Sequence, residues 1–155
     1  MRRGFTLIEL MIVIAVMAIL IGISLPYMKG MQDEGNTAKA AGELRTLATA
    51  VESYYIHNSK AYPSQDESPV QTSWQSALTG ASPTIVKTAL TDPFKTTQEY
   101  SYVTDGDSAS TYYIIFSVGP DGTAGITGIT PAGVLEGTVG DDIYITNAES
   151  GVGGF

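Results

Sequence analysis

An apolar run close to the N-terminus constrains this chain most. From Phe5 to Ser24 the sequence reads FTLIELMIVIAVMAILIGIS, twenty residues carrying a single charge, Glu9. Wound as a helix, such a run is roughly 30 Å long, the thickness of a bilayer's hydrocarbon core. Arg2 and Arg3 precede it and favour a cytoplasmic N-terminus. A cleaved secretory signal is the alternative. The run exceeds the usual signal core, however, and Leu25-Pro26-Tyr27-Met28-Lys29 follows it with no A-x-A-like site.

Helical character continues beyond the apolar run. Pro26 has no N–H to offer the carbonyl of Gly22, so a bend or weak spot is expected across Gly22 to Pro26. Farther on, Ala40, Leu44, Leu47, Val51 and Tyr54 recur at steps of three and four, one face of an amphipathic helix from about Met28 to about His57. Asn58 and Pro63 mark its end. Residues 64–98 are rich in Ser, Thr and Pro, with a short helix expected around Trp74 to Leu78. Strand-like stretches follow at Glu99 to Val103, Tyr112 to Val118 and Ile143 to Thr146. The first two are joined by a polar turn at Asp105-Gly106-Asp107, and a glycine-rich loop runs from Gly119 to Gly140. The fold class is α+β, a small antiparallel sheet laid on the face of Leu44, Leu47, Val51 and Tyr54.

Composition excludes several chemistries. With no cysteine there is no disulfide, thiolate metal site or thiol nucleophile. A net charge of −8 repels phosphate backbones, which argues against nucleic acid as a partner. His57 is the one histidine, and no P-loop or H-E-x-x-H occurs. Asp105-Gly106-Asp107 hints at a calcium loop, but Ser110 and Phe116 stand where an EF-hand needs Gly and Glu. The tyrosines Tyr54, Tyr55, Tyr112 and Tyr113 read as packing groups.

Gly4-Phe5-Thr6-Leu7-Ile8-Glu9, behind a short basic leader and ahead of an apolar run, resembles the processing signal of type IV pilins and pseudopilins. Farther along, Leu44 to Pro63, Thr91-Asp92-Pro93-Phe94, Tyr112 to Gly122 and Asp141-Asp142-Ile143 are similar to major pseudopilins of the type II secretion system. Lys95-Thr96-Thr97 and the long Thr123 to Gly140 loop depart from that pattern. The resemblance implies a type IV pilin fold with residues 1–4 as leader, 5–27 as transmembrane and assembly helix, and 28–155 as a periplasmic domain. It implies no enzyme. Prepilin peptidase would cut between Gly4 and Phe5 and methylate the new terminus. The subunit would wait in the inner membrane, single-pass, before joining a helical homo-oligomer in the periplasm with minor pseudopilins and an inner-membrane assembly platform. Its filament would assist protein export across the outer membrane; a surface type IV pilus for adhesion or twitching is the alternative. A lone carboxylate is costly within a membrane, and Glu9 would pair with the α-amino group of a neighbour's Phe5 and set the register of a new subunit. The resemblance also implies a calcium ion held by Asp121 and Asp142, with Asp141 as substitute and carbonyls near Val118 or Gly119. Pro120-Asp121-Gly122 fits an ordinary turn equally well.

Overall fold

The computed structural model describes residues 4–64, 74–106, 110–149 and 152–153. Arg2, Arg3 and Asp107, invoked above, lie outside them, as does the side chain of Pro26. The chain divides into two compact units, residues 1–35 and 36–155.

Helix α1 spans Leu7–His57, 51 residues. Its apolar part is long and apolar enough to cross a membrane. There the side chains are exposed, among them Leu7, Ile8, Leu10, Ile14, Leu20 and Ile23. The backbone stays helical across Gly22 and Pro26, so in the isolated chain the expected weak point causes no break. Ser24 Oγ donates to the Leu20 carbonyl at 2.8 Å, a side-chain bond within this stretch.

Within the second unit the helix periodicity becomes packing. Ala40, Leu44, Leu47 and Val51 are completely buried, and Tyr54 is half-buried beside them. The helix ends at His57 because Ser59 and Lys60 turn into the left-handed region, φ 55° and 61°. The Lys60 amide bonds back to the Tyr55 carbonyl at 3.0 Å, which satisfies an end carbonyl. Helix α2, Trp74–Thr79, is short and is pinned from inside. Trp74 Nε1 donates to the Tyr100 carbonyl at 2.8 Å. The fully buried Gln75 exchanges two bonds with the Leu90 backbone, at 2.9 and 2.8 Å, so its amide costs little to bury.

Three strands lie within two residues of the expected stretches: β1 Ser101–Thr104, β2 Tyr113–Ser117 and, after two further strands, β5 Ile143–Thr146. The short β6, Val152–Gly153, adds to β5, giving an antiparallel sheet of order β1-β2-β5-β6. One face of the sheet covers α1 and α2 through Tyr100, Tyr102, Tyr113, Ile115 and Ile143.

The loop expected from Gly119 to Gly140 is only partly a loop. It contains a hairpin, β3 Ile126–Ile129 and β4 Leu135–Gly137, paired antiparallel with a bulge at Ile126/Gly128. Ile126 and Ile129 pack with Ile114, Phe116, Tyr144 and Ala148, a second apolar cluster separate from the one against the helix. The hairpin forms because a bare sheet face of Ile114, Phe116 and Tyr144 would otherwise meet water. Ile126, Ile129 and Leu135 are the side chains that prevent this. Tyr112 leans on this second cluster and Tyr113 sits in the first, so packing accounts for both tyrosines.

Candidate functional site

Two groups of residues stand out, one in each unit. In the first unit, Thr6 precedes α1 and Glu9 lies in its first turn. Glu9 Oε2 accepts from the Thr6 amide at 2.8 Å and from Thr6 Oγ1 at 2.7 Å. The Glu9 amide in turn donates to Thr6 Oγ1 at 3.3 Å. That reciprocal pair is a capping box, and it ties up helix-end donors that would otherwise go unpaired. Thr6-Leu7-Ile8-Glu9 spells the box in sequence, a pairing that the processing motif and the charge of Glu9 do not by themselves reveal. Phe5 is 86% exposed, and a side chain on Gly4 would meet no atom within 4 Å.

In the second unit the strand ends bring Asp121, Asp141 and Asp142 to one place. β2 runs into Val118 and then Gly119, whose φ is +65°. A Cβ on Gly119 would run into the backbone carbonyl of Asp141, so both the turn and the close approach require glycine. The Gly122 amide closes the turn on the Gly119 carbonyl at 3.1 Å. Asp121 Oδ1 accepts from the Thr123 amide at 2.6 Å, while the Asp121 amide donates to Asp141 Oδ2 at 2.8 Å. The turn reading of Pro120-Asp121-Gly122 therefore holds, and the turn is tied to Asp141.

Asp142 is only 1% exposed. Its Oδ2 accepts from the amides of Gly125 and Ile126, both at 2.8 Å, and so anchors the start of β3. Its Oδ1 is buried and has no hydrogen-bond partner. Burial pushes the Asp142 carboxyl above the usual range. The amides of Ile126 and Gly125 pull it down, and the nearby charges of Asp141 and Asp121 push it up again. A buried carboxylate with an unsatisfied oxygen and two acidic neighbours is what a hard cation would relieve. Among the described residues no three His, Cys, Asp or Glu side chains converge enough to hold a metal by themselves. Carbonyl oxygens would have to complete the shell. Gly119 has one to offer, since a carbonyl that accepts one amide keeps a second lone pair.

His57 is exposed at the helix end, its Nδ1 2.7 Å from the Ser53 carbonyl. Asp105 accepts from the Thr111 amide at 3.0 and 3.2 Å, as a hairpin turn would have it.

A long N-terminal helix, apolar in its first part and packed in its second part on a small antiparallel sheet, is the fold of a type IV pilin. The prokaryotic N-terminal methylation motif matches residues 1–25, and the type II secretion system protein G family model matches residues 27–132. The chain belongs to the type II secretion system protein G family. It is similar to the type II secretion system core protein G of Pectobacterium carotovorum, 27% identical over 142 residues and 80% of each chain. It is 35% identical over 66 residues to the core protein G of Klebsiella michiganensis, a match covering 43% of this chain and less than half, 46%, of that relative. A type IV major alpha-pilin of Moraxella bovis is 39% identical over 67 residues, 43% of this chain and 42% of the relative. No solved structure matches it significantly.

Proposed function

We propose that this chain is the structural subunit of a type II secretion pseudopilus, not an enzyme. It is made as a precursor, cut by prepilin peptidase between Gly4 and Phe5 and methylated there. It is held by α1 in the inner membrane with residues 28–155 in the periplasm. It then assembles on the inner-membrane platform with minor pseudopilins into a filament that assists export across the outer membrane. One observation carries this reading: an apolar helix whose described side chains stand exposed opens with a carboxylate one turn from the cleavage motif. A bilayer and then neighbouring copies of α1 can cover those side chains in turn. Deleting the gene tests the reading. Exoproteins should accumulate in the periplasm while twitching persists. Lost twitching with normal export would instead mark a surface pilus.

In the filament, the Gly22 to Pro26 stretch is proposed to lose its helical bonds. Subunits leaving a bilayer must repack, and a stretch with one bond already missing extends at low cost. Side-chain-resolution density with unbroken helix from Phe5 to His57 in the filament would count against this.

Calcium is the ion proposed for the second unit. Asp142 Oδ1 and the Asp121 carboxylate would hold it, with Asp141 alongside and carbonyls from Val118 or Gly119. Binding only the folded chain, calcium should raise the midpoint of thermal unfolding by mass action. At one hundred times the dissociation constant the gain is about 2.7 kcal/mol. The measurement is thermal unfolding of the full chain in detergent micelles, with calcium and with a chelator. Asp121→Ala should lose most of the difference between the two buffers. Equal midpoints for the unsubstituted chain would leave Pro120-Asp121-Gly122 as a turn and nothing more.

A further inference from the structure

Asp92 is a buried acid that the proposed function does not use. It is 2% exposed and lies in the loop between α2 and β1. That loop is closed by the Thr91–Glu99 bridge and by the Asp92 amide donating to the Gln98 carbonyl at 3.0 Å. Its side chain reaches out of the loop. Oδ1 accepts from the Phe94 amide at 2.9 Å and from Ser117 Oγ at 2.8 Å. Oδ2 accepts from the Val118 amide at 2.9 Å. The Ser117 hydroxyl oxygen in turn accepts from the Gly119 amide at 3.4 Å.

One carboxylate thus holds Ser117, Val118 and, through the serine, Gly119. Those residues lead from β2 into the turn of Asp121, and Gly119 is pressed against the Asp141 backbone. The three donors suit a carboxylate and no other side chain of its size. Asparagine has one carbonyl oxygen, so its NH2 would have to face an N–H or O–H on one side. A buried donor facing a donor leaves both unsatisfied.

We propose that Asp92 is a positioning residue for the cation site, fixing Ser117 to Gly119 and thereby the turn that carries Asp121 and the candidate carbonyls. Asp92 touches no ion; it acts through Ser117 and Val118. The inference rests on the cation reading above.

Calcium chloride titrated calorimetrically into the full mature chain in detergent micelles, well below its unfolding midpoint, tests it. Groups that orient ligands typically cost about tenfold to a hundredfold in metal affinity when lost. Asp92→Asn should weaken calcium binding in that range, and Ser117→Ala by a smaller factor. Leu78→Ala, a core truncation in α2, is the comparison: it should lower the midpoint in chelator and leave the calcium dissociation constant unchanged. A merely structural Asp92 would behave like Leu78, with a lower midpoint and wild-type affinity, and that result overturns the proposal. If Asp92→Asn does not fold, Ser117→Ala decides, and unchanged affinity there has the same meaning. No binding heat with the unsubstituted chain removes the cation reading itself, and the positioning role with it.

Discussion

Glu9→Leu should insert and be processed normally yet yield at most a small fraction of the wild-type filament. Replacing a carboxylate by leucine makes the span more apolar, so insertion does not suffer. The variant removes the charge proposed to meet the terminal amine of a neighbouring subunit and so to set axial register. Glu9 has a second duty in the isolated chain, capping α1 together with Thr6. Loss of a cap typically costs about 1 kcal/mol. The two duties separate with Thr6→Ala, which breaks the box and keeps the carboxylate. Filaments sheared from cells and quantified by immunoblot should be scarce for Glu9→Leu and near normal for Thr6→Ala. Equal losses would move the effect to helix capping. Normal yield from Glu9→Leu would sink the register mechanism.

Gly4→Val should leave the precursor almost entirely uncut. The structure gives this test unusual clarity, because a Cβ at Gly4 meets nothing within the chain. Folding therefore has no reason to suffer, and any block arises where the peptidase must bring its own groups close to the backbone. Intact mass spectrometry reads the outcome. The unsubstituted chain should start at Phe5 with one added methyl group, and the variant at Met1. A native terminus beyond Leu25 would point to an ordinary signal peptide instead.

Local signals made much of the fold legible. Ala40, Leu44, Leu47 and Val51 announce their face by spacing alone, and all four are buried. β2 and β5 are short apolar runs between turn residues and lie within a residue of their expected ends. The β3–β4 hairpin was hidden for a physical reason. Its strands have four and three residues, Gly128 and Gly137 interrupt them, and a bulge breaks the alternation at Ile126/Gly128. What makes them strands is the sheet face they cover, a long-range effect. Asp92 was hidden likewise. Followed by Pro93 it reads as a turn acid, and its burial depends on Ser117 and Val118, far away in sequence. At Thr6 and Glu9 the capping pattern is legible in the spacing of a threonine and a glutamate three residues apart.

β2 has a consequence for how the second unit comes apart. Its successive residues alternate between the two apolar clusters: Tyr113 and Ile115 belong to the one against the helix, Ile114 and Phe116 to the one under the hairpin. Pulling either layer away exposes one side of a strand that is buried on both. The unit should therefore melt as one cooperative block, with amide exchange in β2 proceeding only through global unfolding.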